Sequence, residues 1–103
     1  MKLELPIASD LGSHLADGFA AADYRRGRID PYVDICGEIV FDFTSVRTAN
    51  SSFVNGLVAG LIEQHGPDIL HRIVFKGCDP VLQALVQAAI DLGLSKIDGR
   101  VGA

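Results

Sequence analysis

Tryptophan is absent from this chain, methionine occurs once, and cysteine occurs twice, at Cys36 and Cys78. Two cysteines cannot build a dense disulfide framework, which removes the class of small scaffolds stapled by bridges. No stretch of about 18 apolar residues exists, so no membrane-spanning helix is expected. Basic charge is also scarce: nine Lys and Arg stand against 13 Asp and Glu, for a net charge of −4. A general nucleic-acid binder needs a basic face to displace counterions from phosphates, and that class is excluded. The stretch Met1–Ile7 alternates apolar and charged residues and lacks the long apolar run of a secretory signal, so a cytoplasmic location is expected.

What remains is an ordinary globular composition, 49% apolar and 21% charged over 103 residues. That length supports one core, and residues 1–103 are read as a single domain. Internal repeats and low-complexity segments are lacking.

Leu3, Leu5 and Ile7 alternate with other residues and predict a half-exposed strand near an edge, because Pro6 cannot serve a central ladder. Leu11, Leu15, Phe19 and Ala22 recur at helical spacing and predict a helix over 10–26, capped by Ser9 or Asp10 and stopped by Gly27. The cluster Arg25-Arg26-Gly27-Arg28 is then a solvated helix end. Asp30-Pro31 predicts a short turn or helical piece within 28–37. The run from Glu38 to Phe43 is nearly continuously apolar, as in a strand covered on both faces.

A second helix is predicted over 50–65. Phe53, Leu57 and Leu61 form one row and Val54, Val58 and Ile62 the next, and Gly66-Pro67 ends it. Ile73-Val74-Phe75 is a second short interior strand. Asp79-Pro80 caps and opens a third helix with Leu82, Leu85, Val86, Ala89 and Ile90 on its buried face, ending at Gly93. Residues 94–103 are read as a frayed tail or a short edge strand. Strands alternating with helices give an α/β domain, a mixed but mostly parallel sheet with helices packed against it.

Chemistry on such sheets gathers at the carboxyl ends of strands and the N-termini of the following helices. The first such end is Thr44 to Ser52, where Asn50, Ser51 and Ser52 open an apolar helix. A helix start collects unpaired N–H groups and partial positive charge, and so welcomes a phosphate. Asn and Ser are also favoured caps worth on the order of 1 kcal/mol, so a purely structural role is the competing reading. The other end is Lys76-Gly77-Cys78-Asp79. Were its strand the parallel neighbour of the first, Lys76 would come within reach of the serine turn.

Other chemistries fall away. Asn50-Ser51-Ser52 fits a glycosylation sequon, but no secretory signal accompanies it. His14, His65 and His71 share no zinc-like spacing with the cysteines, and no metal or cofactor is expected. Cys36 and Cys78 are predicted at opposite strand ends, about 17–20 Å apart, beyond the bridging limit of about 7 Å. A Ser51-His71-Asp42 triad fails for the same reason, and no catalytic residue is assigned. Asp42 is expected to contact nearby backbone. Gly56 and Gly60 lack the Lys-Ser or Lys-Thr of a phosphate loop. Ile7-Ala8-Ser9-Asp10 lacks the acidic pair of a phospho-receiver domain.

The segments Ile39–Val46, Ser51-Ser52-Phe53, Ile73-Val74-Phe75 and Asp79-Pro80-Val81-Leu82 together resemble the STAS-like domains of unknown function. These are relatives of the STAS domains of bacterial anti-sigma-factor antagonists. The resemblance covers residues 9–93. It implies a non-enzymatic regulatory protein-interaction module in a bacterial signalling pathway, partnered by an ATPase-fold serine kinase or a sigma-factor regulator. In the antagonists an Asp-Ser-Ser-Gly motif carries the phosphorylated serine first, which implies Ser51 as phosphoacceptor with Ser52 beside it. Asn50 replaces the aspartate of that motif and Phe53 the glycine, and Ser-Ser-Phe agrees with the STAS-like branch. The implied interaction surface comprises Thr44, Ser45, Asn50, Asn55 and Lys76. The alternative is a small-molecule or nucleotide-binding module using the same helix start.

Overall fold

The central strand is β3 (Glu38–Asp42), and its three middle residues Ile39, Val40 and Phe41 are all buried, as the unbroken apolar run predicts. In this computed structural model, which describes the backbone of residues 1–101 and the side chains of residues 1–97, β1 (Lys2–Pro6) pairs on one side of β3. On the other side lies β5 (Ile73–Lys76). Both pairings are parallel, with Leu5 opposite Phe41 and Phe41 opposite Phe75. A second, two-stranded parallel sheet joins β2 (His14–Leu15) to β4 (Thr48–Ala49). Among the described residues both sheets are wholly parallel, in keeping with the expected α/β domain of mostly parallel strands with helices packed against them.

Parallel neighbours cannot be joined by tight turns, and helices make the crossovers. α1 (Ile7–Leu11) is a single short turn that ends at Gly12, whose φ of 95° suits a residue without Cβ. α2 (Gly18–Arg28) starts at Asp17, whose carboxylate accepts the N–H groups of Phe19 and Ala20. The expected continuous helix over 10–26 is therefore broken by Gly12 and β2. Leu15 is buried from a strand, and Phe19, assigned to the buried stripe, is 86% exposed. Gly27 lies inside α2 and does not stop it. Asp30–Tyr32 forms one 3-10 turn, in keeping with the expected short helical piece.

The second predicted helix is present from Ser51 to His65, in three consecutive pieces: α3 (Ser51–Val54), a π-helical stretch (Asn55–Ala59) and α4 (Gly60–His65). All six residues of its two apolar rows are buried. Gly66 ends it with φ 89°. A 3-10 segment (Pro67–Arg72) leads into β5, which is an edge strand, not an interior one, with Val74 43% exposed. α5 (Pro80–Val101) opens as expected, with Asp79 accepting the Leu82 N–H at 2.8 Å. It does not end at Gly93. That glycine stays helical and buried because α5 passes close to the Ser51–His65 helix, and a Cβ there would stand 3.0 Å from Ile62 Cβ and 3.2 Å from Ala59. The expected frayed tail or edge strand at 94–103 is thus helix as far as Val101, and residues 102 and 103 lie outside the described residues.

One apolar cluster gathers on the face of the sheet that carries Ile39, Phe41 and Phe43. Phe41 stacks on Phe75 at 5.6 Å and on Phe43 at 6.4 Å between ring centroids. The basic cluster is not simply solvated. Arg25 is 8% exposed and donates to Asp30 at 2.6 Å, while His65 Nε2 lies 2.7 Å from the other Asp30 oxygen. Arg28 lies over the Tyr24 ring and 3.6 Å from Asp10. Burial and the hydrogen bond to Asp10 push the Tyr24 hydroxyl well above its ordinary pKa. The segment 28–37 is tied down by Arg72, which donates to the carbonyls of Val33 and Cys36. Cys36 and Cys78 are free thiols. No helix among the described residues is long and apolar enough to cross a membrane.

Candidate interaction surface

The chain leaving β3 turns sharply because Asp42 folds back on it, accepting the Thr44 N–H at 2.9 Å. The Thr44 hydroxyl and N–H, aided by the nearby Lys76 charge, hold the Asp42 carboxyl below its usual range. Asp42 thus contacts local backbone, as expected of it. Ser45 follows at φ 70°, and Val46 N–H closes the turn on the Phe43 carbonyl. Gly77, at φ 72° after β5, approaches so closely that a Cβ would lie 2.5 Å from Thr44 Oγ1 and 2.7 Å from Thr44 N. Only glycine fits there.

From Arg47 to Asn50 the loop is stitched to the segment between α1 and α2. The Arg47 and Thr48 N–H groups donate to Ser13, and the Asn50 N–H to Leu15. His14 Nδ1 is hydrogen-bonded to Thr48 Oγ1 at 2.8 Å. Asn50 Nδ2 donates to the Ala16 carbonyl at 3.0 Å, while its Oδ1 accepts the Phe53 N–H at 2.9 Å. Asn50 is therefore both the cap of the helix and a tie to its neighbour. Ser51 and Ser52, the first two helical residues, are exposed. Phe53, the next, is 2% exposed and belongs to the core.

Thr44, Ser45, Asn50, Ser51 and Ser52 thus line one exposed loop and helix start, and Asn55 lies half-buried one turn further along. Lys76 is exposed beside Asp42 and the Thr44–Gly77 contact, at the strand end of this surface. Its strand is indeed the parallel neighbour of β3. Among the described residues, however, no hydrogen bond or ion pair joins Lys76 to Ser51 or Ser52.

Ser52 instead faces α2. Together with Ala16, Asp17, Gly18, Phe19, Ala22 and Arg26 it lines an open cleft of about 670 Å³. A smaller cleft of about 290 Å³ separates the loop at Arg47–Ala49 from the start of α5 at Asp79, Val81 and Leu82. The α2 wall of the larger cleft was missed from the sequence because it was assigned to one long helix. The available signal was Asp17-Gly18, a cap placed before an apolar stretch.

No group of three or more His, Cys, Asp or Glu side chains converges among the described residues. No curated protein and no solved structure matches the chain. The sequence pattern of the STAS-like domain of unknown function matches residues 25–83, more than half of the chain, from the last turn of α2 into the first turn of α5.

Proposed function

The chain belongs to the family of STAS-like domains of unknown function, and from that premise we propose that it is a non-enzymatic regulatory protein-interaction module. Its docking surface is the exposed loop and helix start within Thr44–Asn55, at Thr44, Ser45, Asn50, Ser51 and Ser52, with Lys76 at its edge. The observation that carries this reading is the exposure of Ser51 at the first helical position, beside a capped helix start and directly after the central strand. Phosphorylation of Ser51 would add about 1.5 to 2 negative charges to that surface. The helix end tolerates them, while a docked partner meets a changed charge and shape. The fitting partner is an ATPase-fold serine kinase or a sigma-factor regulator in a bacterial cytoplasmic signalling pathway.

Binding measurements test this. The unmodified chain and a chain carrying phosphoserine at position 51 are titrated against an ATPase-fold serine kinase. At least tenfold weaker binding of the phosphorylated chain is expected, about 1.4 kcal/mol. Equal affinities would count against the switch.

The cleft beside Ser52 supports a second reading, a small-molecule site. Its volume of about 670 Å³ falls in the range of ligand pockets, and Phe19 offers an exposed aromatic face. A thermal shift with nucleotides or aromatic anions favours this reading, and a flat response sets it aside.

A further inference from the structure

The two serines do not meet the rest of the fold in the same way. Among the described residues, Ser51 is not part of the larger cleft's lining, whereas Ser52 is. The carbonyl oxygen and the Oγ of Ser52 both lie 2.8 Å from the point where a Cβ on Gly18 would stand. One turn on, Gly56 is as close: a Cβ there would lie 2.7 Å from the Gly18 carbonyl oxygen and 3.2 Å from Ala21 Cβ. One turn further, a Cβ on Gly60 would lie 2.9 Å from Arg25 Nε. α2 therefore rests along Ser52, Gly56 and Gly60, residues spaced by four and stacked on one helix face. The far end of α2 is anchored by the Arg25–Asp30–His65 cluster. Its near end is held by Asp17 capping Phe19 and Ala20.

We infer that Ser52 is a lever: a phosphoryl group on its hydroxyl drives the first turn of α2 off the Ser51–His65 helix, whereas one on Ser51 leaves α2 in place. The inference rests on the phosphoregulation reading and assigns the two serines different tasks. In the modification, Ser52 Oγ forms a bond to the γ-phosphorus of a nucleoside triphosphate as the bond to the departing diphosphate breaks. The hydroxyl proton passes to the base of the kinase.

The product is a tetrahedral, charged group on an oxygen that already stands 2.8 Å from where a Cβ on Gly18 would lie. Its charge faces the Asp17 carboxylate across the same cleft, and that repulsion weakens the cap. Arg26 lines the cleft too, and its present partner is Asp23 at 3.1 Å, with both side chains well exposed. Such a surface pair is weak, whereas a guanidinium–phosphate pair is strong and directional. Ser52 modification thus trades the Gly18 contact and the Asp17 cap for an Arg26–phosphate pair. The first turn of α2, carrying exposed Phe19, shifts with that exchange.

The test installs phosphoserine at position 51 or 52 during synthesis of the full chain, so no kinase is needed, and reads amide hydrogen exchange at Phe19, Ala20 and Ala21. With phosphoserine at 52, these amides are expected to exchange roughly fivefold faster or more, the scale of a lost helix cap. With phosphoserine at 51 they keep the unmodified rates. Equal rates in the unmodified chain and the chain phosphorylated at 52 would overturn the lever. Gly18→Ala is expected to loosen the same amides without any phosphate, and unchanged protection in that variant would also overturn it. Ser52→Ala, which removes the hydroxyl and adds no bulk, is expected to exchange like the wild type. Faster exchange there would show that lost packing, not added bulk, frees α2, and would overturn the lever as well. Failure of every kinase to modify the chain would sink phosphoregulation while leaving these rates unaffected.

Discussion

Asn50 donates its side-chain N–H to the Ala16 carbonyl at 3.0 Å while the other half of the same amide accepts the Phe53 N–H at 2.9 Å. An aspartate offers two acceptors and no donor. Asn50→Asp therefore keeps the cap, loses the tie and sets a carboxylate against a carbonyl oxygen. Urea unfolding at neutral pH should show a loss of about 1 kcal/mol for Asn50→Asp. Asn50→Ala, which loses both bonds, should cost about 2 kcal/mol. Wild-type stability in Asn50→Asp would contradict the tie.

The contact between α2 and the Ser51–His65 helix makes two glycines respond in opposite ways to the same substitution. Alanine normally gains up to about 1 kcal/mol over glycine inside a helix. Gly27 has nothing within 4 Å of a new Cβ, so Gly27→Ala should gain about 0.5–1 kcal/mol. Gly56→Ala meets the Gly18 backbone at 2.7 Å and should cost about 1–3 kcal/mol. Thermal unfolding midpoints that move in the same direction for both would contradict the close approach.

Asp30 neutralises Arg25, whose side chain is 10% exposed, and also meets His65. Asp30→Ala strands a buried guanidinium and should destabilise by about 3 kcal/mol. Asp23→Ala removes the exposed partner of Arg26 and should change stability by less than about 0.5 kcal/mol. Denaturant midpoints of the two variants decide the matter, and similar small losses would contradict the cluster's role.

Asp42 gives the chain an acid-sensitive element. Its carboxyl pKa is lowered in the folded state by Thr44 and Lys76, so between the folded value and the unfolded value of about 3.9 the unfolded chain binds more protons. Its contribution is present above that unfolded value and is lost as pH falls through the folded one. Asp42→Asn still accepts the Thr44 N–H and isolates the charge. The stability difference between wild type and Asp42→Asn should be constant near neutrality and shrink below about pH 4. A difference that does not vary with pH would contradict the assignment.

The helix from Ser51 to His65 was legible in full because two apolar rows, an Asn cap and a Gly-Pro stop all agree, and Asp79-Pro80 was as clear for α5. Elsewhere a local signal was overridden by tertiary contact. Leu11, Leu15 and Phe19 keep helical spacing by coincidence, since Leu15 is buried from β2 and Phe19 is exposed. Gly93 reads as a stop, yet its missing side chain lets α5 pass Ala59 and Ile62. Arg25 sits in a run of arginines that a sequence pattern assigns to solvent, but its partners Asp30 and His65 lie in other elements. At the candidate site, the serine pair and the turn at Thr44 were visible as a strand end followed by a helix start. The α2 wall was not, because which helix packs on Ser52 is decided by Gly18, Gly56 and Gly60 meeting in space. The two departures from the antagonist motif also acquire physical reasons. Asn50 ties the helix start to Ala16, and Phe53 fills the core at 2% exposure.

The most direct test of the regulatory reading is mass spectrometry of the full chain after incubation with ATP and an ATPase-fold serine kinase. One added phosphoryl group on the Ser51-Ser52 pair, absent from a chain with both serines changed to Ala, is the expected result. A chain that stays unmodified at both serines, with the kinase active on another substrate, would contradict it.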